Sequence, residues 1–232
     1  MKEKSWQDIF PHNTVSFLKK LSRNNSREWF EKNRELYNSD FLEPAVNFIV
    51  EMGEKLLTLS PNINAIPKID KSIFRIHRDV RFSKNKAPYK TNMGLYFWEG
   101  KGKKMEGSGY YFHLEPKNFG AGAGMYQFTK EHLKKYRDIV SMPEKGKELD
   151  TIVKRIAKKG SYEIGGKSFK KTPRGYDPNI KYAGYLLHDG LYAWYNGKDL
   201  NELMKGNALN AIFKKFKDMY PLHDWLFKNI IK

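Results

Sequence analysis

Helical spacing of apolar residues predominates near both ends of the chain. Apolar side chains recur three and four positions apart within residues 14–60, 131–159 and 202–230, which predicts helices with one buried face. Asn25 followed by Glu28 is typical of a helix start, and Pro44 is typical of a first turn. Ser60-Pro61 ends the N-terminal helical region, and we expect the last helix to break near Pro221.

The middle of the chain instead predicts strands. Short runs rich in aromatic and β-branched residues alternate with polar positions, and they cover residues 73–82, 90–98, 109–115, 119–128 and 182–195. His188-Asp189-Gly190 is expected to be a turn, and residues 161–176 are expected to be irregular and basic. The order of helices, strands and helices predicts an α+β fold in one domain, residues 1–232. We expect an antiparallel sheet of four to six strands, with its β-rich core in 73–128 and 182–195, flanked by N-terminal and C-terminal helices.

A row of glycines marks one of these strands. Gly120, Gly122 and Gly124 fall on the same face because successive strand residues point to opposite sides. Glycine in a strand indicates close approach of another group. The row therefore predicts open space above the sheet, filled either by a packed helix or by a ligand.

The strand predicted at 73–82 divides into two unlike faces. The mainly apolar face carries Phe74, Ile76, Arg78, Val80 and Phe82. The polar face carries Arg75, His77, Asp79 and Arg81. Arg78 is expected to be structural, since a buried guanidinium needs an acceptor, for which Glu28 or Glu31 of the preceding helix are candidates.

The polar face suggests a site for an anionic small molecule. Arginine holds a phosphate through two parallel hydrogen bonds, and lysine adds a point charge. The predicted ligand-binding residues are Arg75, Arg81, Lys86, Tyr89, Lys90 and Arg174. His77 and Asp79 are the candidate catalytic residues, for proton transfer or orientation. A solvated strand face or a structural ion network is an equally simple explanation of the same pattern.

Two further interpretations use overlapping residues. His77 with Asp79, and His113 with Glu115, are same-face pairs that would suit a metal if their strands were neighbours. The basic loop at residues 170–176 and several tyrosines would suit nucleic acid. The tyrosines that this interpretation uses are Tyr89, Tyr110, Tyr111 and Tyr176. No known nucleic-acid, phosphate-loop or nucleophile motif accompanies them, so the cofactor and the reaction type stay undefined.

Composition narrows these alternatives. The 232 residues include no cysteine, which excludes disulfides and thiolate metal sites. No leader-like run occurs at the start and no stretch approaches 18 apolar residues, so we expect a soluble cytoplasmic protein without a membrane partner. The net charge is +17, and its distribution is uneven: residues 1–70 hold 10 basic and 10 acidic side chains, whereas 71–232 hold 33 and 16. This asymmetry favours an anionic partner, small molecule or nucleic acid, although a lysine-rich composition alone would also produce it.

The arginine-rich run resembles the hallmark of a mainly bacterial family known as domain of unknown function 2461 (DUF2461). That hallmark is Arg-x-x-Arg-Asp-x-Arg-Phe followed by Asn-Lys and Tyr, which here spans residues 75–89. Other segments similar to the family are NNSREWF at 24–30, YYFHLEP at 110–116, the Gly-Ala-Gly strand and KKTPRGYD at 170–177. The resemblance covers nearly the whole chain. It implies one domain with a shared arginine-rich site and names no substrate.

Overall fold

The structure is a computed structural model that describes residues 6–232, without the side chains of residues 8 and 9. Residues 1–5, which the sequence predicts to contain no leader, lie outside the described part. The α-helices are α1 (Trp6–Ile9), α2 (His12–Arg23), α3 (Arg27–Lys32), α4 (Arg34–Tyr37), α5 (Glu43–Leu57), α6 (Lys130–Val140), α7 (Pro143–Ala157), α8 (Asn201–Met204) and α9 (Ala208–Leu226). Single π-helical turns at Asn38–Leu42 and Phe227–Ile231 precede α5 and follow α9, and a 3₁₀ turn occupies Ala183–Leu187.

Six strands form one antiparallel sheet in the order β1-β2-β3-β4-β6-β5. They are β1 (Ile63–Asn64), β2 (Met93–Glu99), β3 (Gly109–Leu114), β4 (Phe119–Met125), β5 (Tyr162–Lys167) and β6 (His188–Gly197). The α+β class, the antiparallel sheet and the flanking helices predicted from the sequence are therefore confirmed.

The helices cover one face of this sheet. Phe48 of α5 stacks on Phe112 of β3 with ring centres 5.3 Å apart. The ring centre of Phe216 of α9 lies 5.1 Å from that of Tyr110. Ala121 of β4 is fully buried on the same side, between these helices and the sheet. Burial of these large apolar side chains is the main stabilising contribution to the fold. The opposite face carries the glycine row and is left for loops and side chains to line.

Residues 73–82, predicted to be a strand, do not form one. Only isolated bridges occur there, which join Ile73 to Ile69 and to Leu95, and His77 to Tyr89. The segment separates from the edge of β2 after Phe74 and reverses direction at residues 81–82. Its second half then runs antiparallel to its first half and forms a hairpin. The alternation of exposure is nonetheless kept as far as Val80, with the four polar side chains exposed. Phe82, predicted on the apolar face, is 96% exposed.

Four smaller expectations also fail. Ser26, and not Asn25, caps α3: its hydroxyl accepts a hydrogen bond from Trp29 N at 3.2 Å. The region predicted to be irregular contains β5, and the predicted turn at 188–190 is the start of β6. Pro221 lies inside α9 without ending it, because the buried apolar face of that helix continues on both sides of the proline.

None of the helices in residues 6–232 is both long enough and apolar enough to span a lipid bilayer.

Candidate functional site

The predicted polar face is an exposed ion pair with two exposed polar side chains beside it. Arg81 donates to Asp79 through Nη2–Oδ2 at 2.7 Å and Nε–Oδ1 at 3.0 Å. These hydrogen bonds lower the pKa of Asp79 below its usual value. Both side chains are solvated, so the pair contributes little to stability. Arg75 and His77 are also exposed, and the pocket described below is not lined by any of these four residues.

Arg78 contacts its own hairpin, which residues 76–90 form, and not a carboxylate of α3. Its Nη1 donates to Ala87 O at 3.0 Å, and Nη2 lies 3.4 Å from Ser83 Oγ. Glu31, one of the two expected partners, pairs instead with Arg34. The contacts of Arg78 agree with a structural role through carbonyl and hydroxyl acceptors.

The remaining predicted ligand residues are dispersed. Lys86 Nζ donates to Val80 O at 3.1 Å, within the hairpin. Tyr89 is 3% exposed and stacks on Phe30 with ring centres 4.2 Å apart, so its ring is already occupied. Arg174 lies in a separate exposed loop. The structure therefore does not unite these residues around one cavity.

The tyrosines predicted to stack on nucleic-acid bases also lie in different parts of the structure. Tyr110 is fully buried on the helix-covered face, and Tyr176 hydrogen-bonds Asp138 at 2.8 Å. Tyr111, in contrast, points to the opposite face of the sheet and lines a cavity. Strand parity decides this difference, because neighbouring strand residues face opposite sides.

The cavity is a concave pocket of about 520 Å³ on the face of the sheet opposite α5 and α9. Its aromatic lining consists of Phe74, Tyr96, Tyr111, Tyr126, Tyr192 and Trp194. Phe74 comes from the segment before the hairpin, whereas the others come from the strands or, for Tyr126, from just after β4. A volume of this size is within the range of small-molecule sites, roughly 300–1,000 Å³.

Glycines form the floor of the pocket because an indole lies across them. Gly122 and Gly124 line the pocket from β4, and Gly165 lines it from β5. A Cβ at Gly122 would stand 2.8 Å from Cε3 of Trp194, and one at Gly120 would overlap the same ring. The space above the glycine row is thus shared between the Trp194 side chain and the open pocket. A packed helix was one of the two groups expected above the glycine row, but the helices lie on the other face of the sheet.

His113 and Glu163 add polar groups to this aromatic lining. Burial lowers the pKa of His113 below its ordinary value, and nearby Glu115 offsets part of that effect. The imidazole is therefore neutral at pH 7, so its 3.7 Å approach to Glu115 is not an ion pair there. Burial also raises the pKa of Tyr111 to about 12, which keeps its hydroxyl protonated.

Two lysines approach the pocket wall at Phe74. Lys104 Nζ lies 3.5 Å from the centre of the Phe74 ring, and Lys90 Nζ lies 5.7 Å from it. Burial lowers the pKa of Lys104 to about 8, and the positive charge of Lys90 adds to this, while Asp70 acts in the opposite direction. Within residues 6–232 neither ammonium group has a carboxylate within 4.0 Å. Both ammonium groups thus lie against Phe74, a residue that lines the pocket, although neither lysine lines the cavity itself.

The metal interpretation gains no geometric support. In the described part of the chain, no three histidine, aspartate or glutamate side chains converge as a metal site would require. His113 and Glu115 lie on and beside β3, whereas His77 and Asp79 lie in the hairpin, so the two pairs do not meet.

A second polar cluster is closed to solvent. His223 Nε2 lies 2.8 Å from Glu99 Oε2, and its Nδ1 lies 2.9 Å from Ser108 Oγ. Ser60 Oγ completes the cluster, 3.1 Å from both His223 Nε2 and the Tyr110 hydroxyl. All five residues are at most 4% exposed, so these groups join α9 to the sheet and no substrate reaches them.

Sequence reasoning missed most of the pocket. Tyr96, Tyr126, Tyr192 and Trp194 were not among the predicted residues, and neither was Lys104. The available signal was the glycine row, since a residue opposite it in the sheet must face the same side. Trp194 pairs with Gly122 across β4 and β6, and Tyr111 pairs with Gly122 across β3 and β4. This register requires the strand order, which the sequence pattern does not supply.

Comparisons with known proteins identify a family but not an activity. Searches of curated proteins and of solved structures found no significant match. A family model described as "Conserved hypothetical protein (DUF2461)" matches residues 13–225. That range includes the hairpin, every strand of the sheet and the residues that line the pocket. The chain therefore belongs to the DUF2461 family.

Proposed function

We propose that this protein binds a small ligand with a planar aromatic body and an anionic group, such as a phosphate or carboxylate. The pocket on the sheet is the binding site. The observation that carries the proposal is an aromatic-lined cavity with one lining residue, Phe74, in contact with two partly buried ammonium groups that form no salt bridge within residues 6–232. The anionic ligand inferred from the sequence is retained, and Lys90 is kept from the residues predicted to bind it.

The anionic group is assigned to the end of the pocket near Lys90 and Lys104. A half-buried ammonium without a carboxylate partner is poorly solvated, which is why the pKa of Lys104 falls to about 8. An anion placed beside it restores the lost electrostatic stabilisation and makes charge-assisted hydrogen bonds. Lys90 is close enough to share the same negative charge.

The planar body is assigned to the glycine floor and its aromatic border. Trp194 stacks with Tyr111 at an interplanar angle of 26°, with ring centres 6.2 Å apart. Tyr126 and Tyr192 form a second aromatic pair, 5.6 Å apart. Flat ligands gain both apolar burial and favourable ring geometry against such surfaces. His113 and Glu163 supply polar contacts that fix the orientation of the ligand.

The probe anilinonaphthalene sulfonate tests the proposal because it combines a fused aromatic ring with a fixed negative charge. We expect one saturable site by fluorescence titration of the folded protein. Lys104→Met should weaken binding about tenfold, corresponding to the loss of one charge-assisted interaction of about 1.4 kcal/mol. The neutral analogue phenylnaphthylamine should bind equally to wild type and to this variant.

Lys147→Met is the matched control, since Lys147 is an exposed lysine of α7 away from the pocket. It should bind the probe as wild type does. Equal loss in both variants, or unchanged binding after Trp194→Ala, would refute a site in this pocket.

A further inference from the structure

The hairpin of residues 76–90 presents a phenyl ring to solvent. Phe82, at its tip, is 96% exposed, the highest exposure of any large apolar side chain in the described part of the chain. Among the described residues, the one aromatic or cationic contact of its ring is with Arg81, whose Cζ lies 5.9 Å from the ring centre. Phe82 therefore buries almost no surface and contributes little to the stability of the fold.

The exposure of Phe82 is not the result of a loosely held loop. Backbone bonds close the hairpin, from Arg78 N to Pro88 O at 2.8 Å and from Lys90 N to Ile76 O at 2.7 Å. The Arg78 guanidinium then spans the two arms near the tip through Ala87 O.

The base of the hairpin is attached to α3 and to Asn25, which precedes the cap of that helix. The Asn25 amide donates to Tyr89 O and accepts from Tyr89 N, both at 3.0 Å, as a neighbouring strand would. The Tyr89 ring stacks on Phe30. The tip is thus held in a fixed position with its ring directed outward.

The segment that carries this ring is strongly basic. Residues 71–90 contain seven lysine or arginine side chains and one acidic residue, Asp79, which Arg81 already pairs. Lys84, two positions from Phe82, is exposed and has no hydrogen-bond or ion-pair partner among residues 6–232. A partner that fits this tip must be anionic and must offer a flat apolar surface.

We infer that the hairpin tip binds single-stranded nucleic acid, with a base stacked on Phe82 and phosphates beside Lys84. Base–aromatic stacking combined with a basic surface is the usual basis of sequence-tolerant single-strand binding. A lipid surface fits less well, because insertion of Phe82 into hydrocarbon would take the adjacent Asp79–Arg81 ion pair out of water. In a base stack, both charges stay at the solvated edge.

Fluorescence anisotropy with labelled oligo-dT and oligo-U on the full chain tests this inference. We expect binding that weakens as salt increases, since bound phosphates release counterions. Phe82→Ala should weaken it about tenfold, the effect of losing one stacked base. Phe82→Tyr keeps a stacking ring and should bind as wild type. Lys84→Gln should reduce the slope of log affinity against log salt by about 0.7.

Matched controls separate the tip from general surface effects and from the pocket. Leu57→Ala removes another exposed apolar side chain, on α5, and Lys147→Gln removes another exposed lysine. Trp194→Ala disables the pocket but leaves the hairpin intact. All three should retain oligonucleotide binding, so failure of the pocket proposal would not affect this one.

Three results would overturn the inference. The first is oligonucleotide binding that is absent or unaffected by salt. The second is equal affinity for a duplex of the same length, whose bases are not free to stack on Phe82. The third is Phe82-dependent binding to phosphatidylserine vesicles without oligonucleotide binding, which would assign the tip to a membrane surface.

Discussion

At the scale of single residues, neighbouring arginines of one sequence run have different physical roles. Arg78 is partly buried and bonds to the backbone of the opposite arm of its hairpin, whereas Arg81 lies in solvent beside Asp79. The alternation of faces in the sequence placed them on opposite sides, and Arg78 is the less exposed of the two. It did not identify the acceptor of Arg78, because a carbonyl oxygen carries no sequence signature.

Arg78→Ala should destabilise the protein more than Arg81→Ala. Loss of Arg78 leaves a partly buried carbonyl without its donor, which costs about 1–3 kcal/mol of the free energy of unfolding. Loss of Arg81 removes a solvated pair and should change it little. Urea unfolding followed by circular dichroism measures both, and equal effects would contradict the structural role of Arg78.

Anion binding in the pocket should depend on the charge of Lys104. Because burial lowers its pKa to about 8, Lys104 loses its proton as pH rises through that value, and affinity for anilinonaphthalene sulfonate should fall. A bound anion favours the charged form, so the midpoint should shift upward in the complex. Titrations across this range should show the decrease in wild type and lack it in Lys104→Met. A decrease of the same size in the variant would assign the titration to another group.

At the scale of elements, β4 and β6 form the pocket floor together. β4 supplies positions without side chains, and β6 supplies the indole that lies over them. The glycine row was visible in the sequence as a sign of close approach. Whether a helix, a ring or a ligand approaches it depends on which strand is the neighbour, and that is decided by sheet order.

Gly122→Ala should impair the pocket. The new Cβ would stand 2.8 Å from Trp194 and 3.2 Å from Ala193 O, so the indole must shift across the floor. We expect about 1–3 kcal/mol of destabilisation and weaker probe binding. Gly184→Ala is the control, because no atom lies within 4 Å of its added Cβ. Wild-type probe affinity in Gly122→Ala would place the ligand elsewhere.

At the scale of the whole molecule, a buried polar cluster joins the C-terminal helix to the sheet. Glu99 of β2 and His223 of α9 are 124 residues apart in sequence, yet their side chains hydrogen-bond at 2.8 Å without access to solvent. A buried polar group is tolerated only with a partner, so each of these side chains requires the other. The cluster thereby fixes the position of α9 on its face of the sheet.

Removing one of these two side chains alone should therefore destabilise the protein by more than half of the destabilisation caused by removing both. His223→Leu leaves the Glu99 carboxylate buried without its main partner, which should cost about 3–5 kcal/mol. The double variant with Glu99→Leu should be more stable than the sum of the two single effects predicts. Urea unfolding of the four proteins in this cycle gives the coupling free energy. Additive losses would mean that the two side chains act independently.

Local sequence patterns specify the helical periodicity of both ends, most strands, the α+β class and the exposed polar side chains of the arginine-rich run. These follow from patterns within a few residues, where backbone geometry fixes which side chains share a face. The tertiary structure alone decided which residues meet. Residues 73–82 have no continuous partner beside β2, so they form part of a hairpin instead of a strand. β5 forms because its backbone pairs with the edge of β6. The pocket residues come from positions 74 to 194, and contacts over such distances depend on strand order and register, which no local pattern specifies.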